Sequence, residues 1–583
     1  MSRIKTGATK NTAVHIRTAV SIFTTVLLVT GCSSIPVSAP IEYGQDLTVN
    51  QPNQFIQVIG RPPIDGMDQI AVVNGFLTAL ADTRDDYGIA REYLTQAAAQ
   101  TWRSDSAITI YESGSLEITQ TQSGALASLS KFGQIDSTGY LTVEPKGTQL
   151  TAAFDLIKNE NDQWRISALA DGVLLTSNDI ERSFNGYPAY FLDADRKNLV
   201  PDTVLLPANL TGLATSLVQA LLDGPSNKIA QAVSNSFPVG TKLTYGSVPV
   251  VDGVATVDLT NQILSTDQAT RALMSAQLVW TLNSLPNVSS IEIKVSGQPV
   301  SITGVSTRQT GQDWASYNPA QFTGAELLHF VKDNQVFSYG VDGVLTPMVQ
   351  VSQDSQVTLG ESIGDIDGGS IAGVSVDGKK VLFNTGRGGQ FSVVASGQSV
   401  SKPSWDKFGS IYYSDYGNGI FKIDTKGQKQ KINFDSSNFA NVDQVKQVSI
   451  AHDGTRIALV ISDGSTDLLL FGAIVEIDSV SRIVGLHLVE RTITAIKDLA
   501  WQTPTSIAVL GSDLTGGSLV FDVDITTGTT SSIAAPIGAQ TIASSIGKQI
   551  YVGTVSGAKL MVAKQSGTQW ADLVEGASPY FAN

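Results

Sequence analysis

The chain is 583 residues long, 42% hydrophobic and 16% charged, with 53 glycines, one cysteine and a formal net charge of −15. Four of its 38 lysines and arginines, and none of its 53 acids, fall in residues 1–31, so the remainder carries 34 basic against 53 acidic groups, a net charge of −19. That charge argues against nucleic acid, anionic teichoic polymers and anionic lipid headgroups as direct ligands. At roughly 100 to 200 residues per domain the length predicts about three to five folded units, β-rich and ordered by composition.

Arg3, Lys5, Lys10 and Arg17 precede an apolar run from Ala19 to Thr30 that ends at Gly31-Cys32. Twelve residues are too few for a permanent span and have the layout of a secretory signal, predicted over 1–31. Val29-Thr30-Gly31-Cys32 resembles the lipobox of bacterial lipoproteins. The resemblance implies cleavage between Gly31 and Cys32, with Cys32 as a lipidated mature N-terminus carrying palmitate-type chains. Each buried methylene contributes ~0.8 kcal/mol, so such a residue holds a protein on the outer face of the cell membrane with no segment in the bilayer. An extracellular chain of this length could have used disulfides, and its only cysteine stands where the lipobox needs it. Residues 32–53, with Pro36, Pro40 and Pro52, read as a tether.

In the first module, residues 54–182, the spacing of Ile70, Val73, Phe76, Leu77 and Leu80 predicts a helix, and a second is expected around Tyr87 to Thr95. Strands follow, Leu150 to Lys158 and Gln163 to Ala170, joined by the turn Asn159 to Asp162. Helices followed by an antiparallel sheet resemble the cone-shaped NTF2-like group. No histidine stands between residues 16 and 328, so acid-base chemistry here would fall to carboxylates of raised pKa.

The second module, 183–303, opens with a strand at Tyr190-Phe191-Leu192 and a helix through Leu213, Leu217, Ala220 and Leu221. Asp223-Gly224-Pro225 stops that helix, with Gly224 expected as a left-handed cap. Asp252-Gly253 predicts a hairpin in which Ala255, Val257 and Leu259 alternate with Val254, Thr256 and Asp258. Ser265 and Gln268 have capping-box spacing for a helix with Ala269, Leu273, Ala276 and Trp280 on its buried face, and a last strand runs from Ser290 to Val295. Leu-Leu-Asp-Gly-Pro-Ser, Gly253 to Leu259 and Trp280-Thr281-Leu282 before Pro286 resemble the GerMN domain of spore-germination and cell-envelope proteins. The resemblance implies placement outside the membrane and association with the envelope or peptidoglycan, and brings no catalytic residues.

After a linker, 304–321, residues 322–583 change to short strands and glycine turns. Hydrophobic triplets begin at Val381, Ile411, Ile457, Ile507 and Ile550, with phrases such as Val374-Ser375-Val376-Asp377-Gly378, Ser404-Trp405-Asp406 and Ala451-His452-Asp453-Gly454 before them. Their steps of 30, 46, 50 and 43 residues predict a β-propeller of five to seven blades, one of them from Val331 to Val344. The fold class is therefore multidomain, two α+β modules followed by an all-β propeller. Lipobox, NTF2-like module, GerMN module and propeller in this order resemble the LpqB family of actinobacterial lipoproteins. That resemblance implies an accessory of the Mtr two-component system, bound to the extracellular sensor region of its histidine kinase and influencing envelope homeostasis and division.

No G-x-S-x-G elbow, G-x-x-x-x-G-K-[ST] loop or H-E-x-x-H pair occurs, and His329, His452 and His487 are dispersed. Catalytic, cofactor and metal residues are thus assigned to none, and the chain is expected not to be an enzyme. Asp193-Ala194-Asp195 starts like a calcium loop, but Arg196 and Lys197 stand where ligands should follow, so it reads as a turn, as does Asp365-Ile366-Asp367-Gly368. His452 is expected on an exposed turn, Trp405 and Trp501 in blade cores, and Lys426, Lys429 and Lys431 at a solvated hairpin tip. The competing reading is a glycan-binding or glycan-processing envelope lipoprotein with its site in the propeller channel or GerMN cleft. Cys32→Ser should abolish incorporation of labelled fatty acid and signal processing by the lipoprotein route; labelling equal to wild type would refute the anchor.

Overall fold

The computed structural model describes residues 59–320, 327–351, 357–365, 369–385, 389–435, 439, 444–462, 465–478, 480–557 and 559–582. Gly31, Cys32, the signal and the tether lie outside these residues.

In the first module the helix Gln69–Ala79 starts at Asp68, whose carboxylate accepts from Ala71 N at 2.7 Å. It buries Val72, Val73, Phe76 and Leu77, while Ile70, placed on that face by spacing alone, is turned to the margin and exposed. The expected second helix is broken. Arg84–Arg91 holds three consecutive left-handed residues, Asp85, Asp86 and Tyr87, and Thr95 does not continue a helix but caps the short helix Gln96–Thr101. Left-handed geometry costs roughly 1–2 kcal/mol per residue outside glycine. Arg91 holds the turn: it donates to the Asp86 carboxylate at 2.5 Å, to Asp86 O at 2.8 Å and to Ala99 O at 2.6 Å, and lies 4.9 Å over the Trp102 ring. The long strand Gly124–Asp136 pairs antiparallel with Ala107–Tyr111, Glu117–Gln120, Leu141–Val143 and Gln149–Lys158, and the last of these pairs with Trp164–Ala168. The sheet is mixed, because Val173–Thr176 joins Ala107–Tyr111 in parallel.

In the second module Phe184–Leu192 pairs with a strand absent from the sequence reading, Leu199–Pro207. The helix Leu213–Asp223 ends at Gly224, whose φ of 102° and ψ of 179° are a glycine conformation other than the left-handed cap expected. The hairpin Val250–Val251 with Val254–Leu259 has the register its sequence predicts, with Asp252 and Gly253 both at positive φ, and Ala255, Val257 and Leu259 fully buried. The chain then crosses over the helix Gln268–Leu282 to Ser290–Val295, which lies parallel to Val254–Leu259. Asp267, not Ser265, caps that helix, accepting from Thr270 N at 2.7 Å; Ser265 ends a preceding 3-10 turn and donates to Gln262 O. Ala269 is exposed, and from Met274 to Leu282 the helix is buried on nearly all sides except at Trp280, because it lies between the sheet and the strand Phe184–Leu192. Its polar residues serve that second contact: Thr281 accepts from Tyr190 N at 3.0 Å, and Gln277 donates to Tyr190 O at 2.9 Å.

Among the described residues the third module has six four-stranded blades. Ala577–Tyr580, from the end of the chain, is the inner strand of blade one, beside Leu328–Lys332, Gln335–Tyr339 and Leu345–Val351. The inner strands of blades two to six are Leu359–Gly364, Ser404–Trp405, Val445–Ile450, Ala495–Thr503 and Ala539–Ala543, and each packs on the next around a closed ring. Outer strands Leu345–Val351 and Gln390–Ser396 also pair in parallel, as do Lys429–Phe434 and Val480–Glu490. The triplets at Ile411, Ile457, Ile507 and Ile550 fall on or at the start of second strands, whereas Val381 opens residues of a third strand. That offset explains the short first step of 30: the matching second strand is Ser370–Ser375.

The three modules interlock. Lys228 of the second donates to Leu141 O of the first, and Tyr140 Oη donates to Gly224 O at 3.2 Å. Gly485, in an outer propeller strand, has φ of +62° and packs so closely on Lys228 that a Cβ would overlap its carbonyl oxygen. Gly485→Ala should therefore destabilise by about 1–3 kcal/mol or more. Gly547→Ala, with φ of +66° but open space around it, should cost less. Denaturant melts of the two variants test the junction.

Candidate functional site

Polar side chains from successive inner strands meet on the propeller axis. Lys402, just before the inner strand of blade three, places Nζ 2.8 and 2.9 Å from the two oxygens of Asp498 in blade five and 3.8 Å from Glu361 in blade two. Gln447 of blade four donates to Asp498 Oδ1 at 2.6 Å, and Ile542 N of blade six donates to Oδ2 at 2.8 Å. Four blades thus meet at one buried carboxylate, and Lys402 extends the link to Glu361 in a fifth. Burial works against the Lys402 charge, but Asp498 and Glu361 outweigh it and raise its pKa. Glu361 is pushed up to about 7, by burial first and by Asp498 as well, against the pull of Lys402. Its side chain nonetheless keeps 34% of its surface open, against 3% for Asp498.

A small cavity adjoins this network and shares Lys402, Gln447 and Ile542 with it. Of about 40 Å³, and lined by Ile363, Ser449, His452, Trp501, Ser544 and Tyr580 among others, it has room for ordered water but not a sugar ring. Trp405 and Trp501 are core residues, as expected, and each fastens its blade to the preceding one: their Nε1 atoms donate to Ile363 O at 3.1 Å and Ser449 O at 3.4 Å. His452 is not an exposed turn residue. It is partly buried against this cavity, and desolvation lowers its pKa to about 4. Burial likewise lowers His329, stacked on Tyr580, to about 4, and His487, whose Nδ1 lies 2.7 Å from Gly485 O, to about 3. No group of three His, Cys, Asp or Glu is arranged for a metal among the described residues.

The Asp193-Ala194-Asp195 segment is a turn, with Asp193 Oδ1 accepting from Lys197 N at 2.9 Å and Asn198 N at 3.2 Å. Its cation is a side chain: Lys407 of blade three reaches both Asp193 and Asp195. Residues 366–368 of the other acidic turn lie outside the described residues; Asp365 accepts from Gly369 N at 2.7 Å. Lys426 does sit in a hairpin turn, while Lys429 folds back 4.1 Å over Phe421. A third clamp was invisible in the sequence. Arg491, 5% exposed, donates to Glu112 at 2.6 Å and Glu144 O at 2.9 Å in the first module and lies 4.4 Å over Phe132. Partners 347 to 379 residues apart leave no local pattern to read.

Family comparisons divide the chain in the same order. Residues 62–181 match the N-terminal domain of lipoprotein LpqB, 188–301 the sporulation and spore germination domain, and 340–582 the LpqB β-propeller domain. The chain is similar to lipoprotein LpqB of Thermobifida fusca (strain YX), 26% identical over 631 residues that cover 97% of this chain and 99% of that protein. It is 26% identical to the Cutibacterium acnes protein of that name over 84% of this chain and 85% of the other, and 25% identical to the Streptomyces coelicolor one over 95% and 96%.

A carboxylate whose pKa is raised on folding binds its proton more tightly in the native state. The contribution of Glu361 to stability should therefore fall as pH rises from the ordinary carboxylate range through about 7, while His329, His452 and His487, whose pKa values are lowered, contribute a rise up to about 6.5; the difference between wild type and Glu361→Gln isolates the first. Glu361→Gln should remove that slope and raise stability at pH 8, on the order of 1 kcal/mol once the partial exposure of Glu361 is allowed for. Asp498→Asn should instead cost about 3–5 kcal/mol by stranding Lys402. Melting curves between pH 5 and pH 8 check both.

Proposed function

Because the chain belongs to the LpqB lipoprotein family, with that family's N-terminal, germination-type and propeller domains in order, we propose that it is lipidated on Cys32 and works on the outer face of the cell membrane as an interaction protein. Its partner is the extracellular sensor region of a two-component histidine kinase, whose output it modulates. The observation that carries this reading is the clamping of three modules by Lys407, Lys228 and Arg491 into a broad surface, around an axis bridged by an ion network. Such surfaces suit macromolecular contact more than small-molecule turnover. The net charge of −19 on residues 32–583 favours a partner presenting basic patches.

The glycan reading has one observation in its favour, two carboxylates on the propeller axis. Lys402 stands between them, and the adjoining cavity is too small for a sugar. Purified kinase sensor domain should bind the lipoprotein directly and more weakly at high salt, and deletion of the lipoprotein should change phosphorylation of the cognate regulator. Absence of binding at high micromolar concentration together with unchanged phosphorylation would overturn the regulatory reading.

A further inference from the structure

In each blade the inner strand starts at one end of the axis. Antiparallel alternation returns the turn between the second and third strands, and the connector to the next blade, to that same end. The opposite end carries the first turns, and the second module takes part of it: Lys407, in the first turn of blade three, reaches Asp193 and Asp195, and Thr526, in the last turn of blade five, packs on Gly186.

The starting end of blades five and six is open. Leu514, Ile537, Val555 and Leu560 are 75, 94, 41 and 39% exposed there. They lie on adjoining loops: Val555 N donates to Gly538 O at 2.9 Å beside Ile537, Val555 pairs with Leu560, and Ala535 N donates to Ser518 O at 3.0 Å near the Leu514 turn. Single exposed aliphatic residues are ordinary, but four joined on loop tips are a patch. Toward the axis, Lys497 Nζ donates to Ala539 O at 3.0 Å, linking the stripe to the strand that carries Asp498. Three cations at this end are held by carboxylates, Lys446 by Asp467 at 2.7 Å, Lys332 by Glu575 at 2.9 Å and Lys402 mainly by Asp498, while Lys379 and Lys559 stand exposed on its turns. Glu361, a third exposed, has only a share of Lys402.

We propose that this end of blades five and six is the docking face for the protein partner, a polypeptide that lays aliphatic side chains along Leu514, Ile537, Val555 and Leu560 and sets a lysine or arginine beside Glu361. The stripe and Glu361 are joined across the axis through Lys402, Asp498 and Ile542 N, so one partner can draw affinity from the aliphatic contact and register from the ion pair. The proposal rests on the interaction-protein reading above.

The test uses the full-length lipoprotein in detergent, with purified kinase sensor domain as the probe. Ile537→Asp and Leu514→Asp change exposed side chains and should leave the melting temperature in place while weakening binding at least tenfold. Glu361→Gln should weaken it several-fold and flatten its salt dependence. Val341→Asp, at a 95% exposed valine in the last turn of blade one at the opposite end, should bind like wild type. Wild-type affinity in both stripe variants, or loss of binding in Val341→Asp alone, overturns the docking face while leaving the functional reading intact. Failure of the wild-type protein to bind overturns the functional reading and the docking face together.

Discussion

A propeller blade cannot bury its faces alone, so everything in the last module depends on closing the ring. Closure here is a pairing across the length of that module: Ala577–Tyr580 supplies the inner strand of the blade that begins with Leu328–Lys332, with His329 opposite Tyr580 and Val331 opposite Ala577. The ring formed in this way brings Glu361, Lys402, Gln447 and Asp498 within reach of one another. A gap in the ring would draw Lys402 of blade three away from Asp498 of blade five and leave that carboxylate buried without its cation. The axial network is therefore a consequence of closure and, through the cross-axis pair of Lys402 and Asp498, a constraint on it.

The network is better suited to specifying the ring than to stabilising it. Three ionisable groups share one low-dielectric space with a single cation among them, and the excess falls on Glu361, which is why its proton is held up to about 7. Buried ion pairs contribute little net stability compared with apolar packing but punish misassembly strongly. Trp405 and Trp501 act in the same sense from the neighbouring layer, each using an indole N–H to fix a blade to the carbonyl of the one before.

What the sequence made legible was whatever depends on local chemistry. Asp252-Gly253 dictated a two-residue hairpin, the strand Ser290–Val295 emerged at its stated limits, and the repeat phrases placed four of five triplets on equivalent strands. Legibility failed wherever a distant contact overrode a local preference. Gln268–Leu282 was assigned one buried face, but a second layer covers its back, so buried Gln277 and Thr281 looked like surface residues. Capping moved from Ser265 to Asp267 because the intervening residues are taken up by a 3-10 turn. The acidic turn at Asp193 is a turn, as read, closed by the Lys197 and Asn198 amides, yet nothing near it announces Lys407, more than 200 residues away. The axial carboxylates were unassignable for the same reason: Glu361 and Asp498 become neighbours only through the ring.

Interlocking of the modules has a consequence for how the protein would meet the partner proposed for it. Domains joined by loose linkers would each sample orientations independently, and ordering them would subtract from the affinity of any surface that spans them. Lys407, Lys228 and Arg491 join the modules through desolvated charges and a glycine contact at Gly485 that admits no side chain. The ordering cost is then met during folding and not again on binding. If Cys32 is anchored, the whole body is confined near the membrane, where effective concentration rises without any new contact. A preorganised acidic body confined to a surface can act on a membrane partner with modest intrinsic affinity. Small shifts in that affinity, through salt or through the protonation of a partly buried group such as Glu361, then translate directly into occupancy.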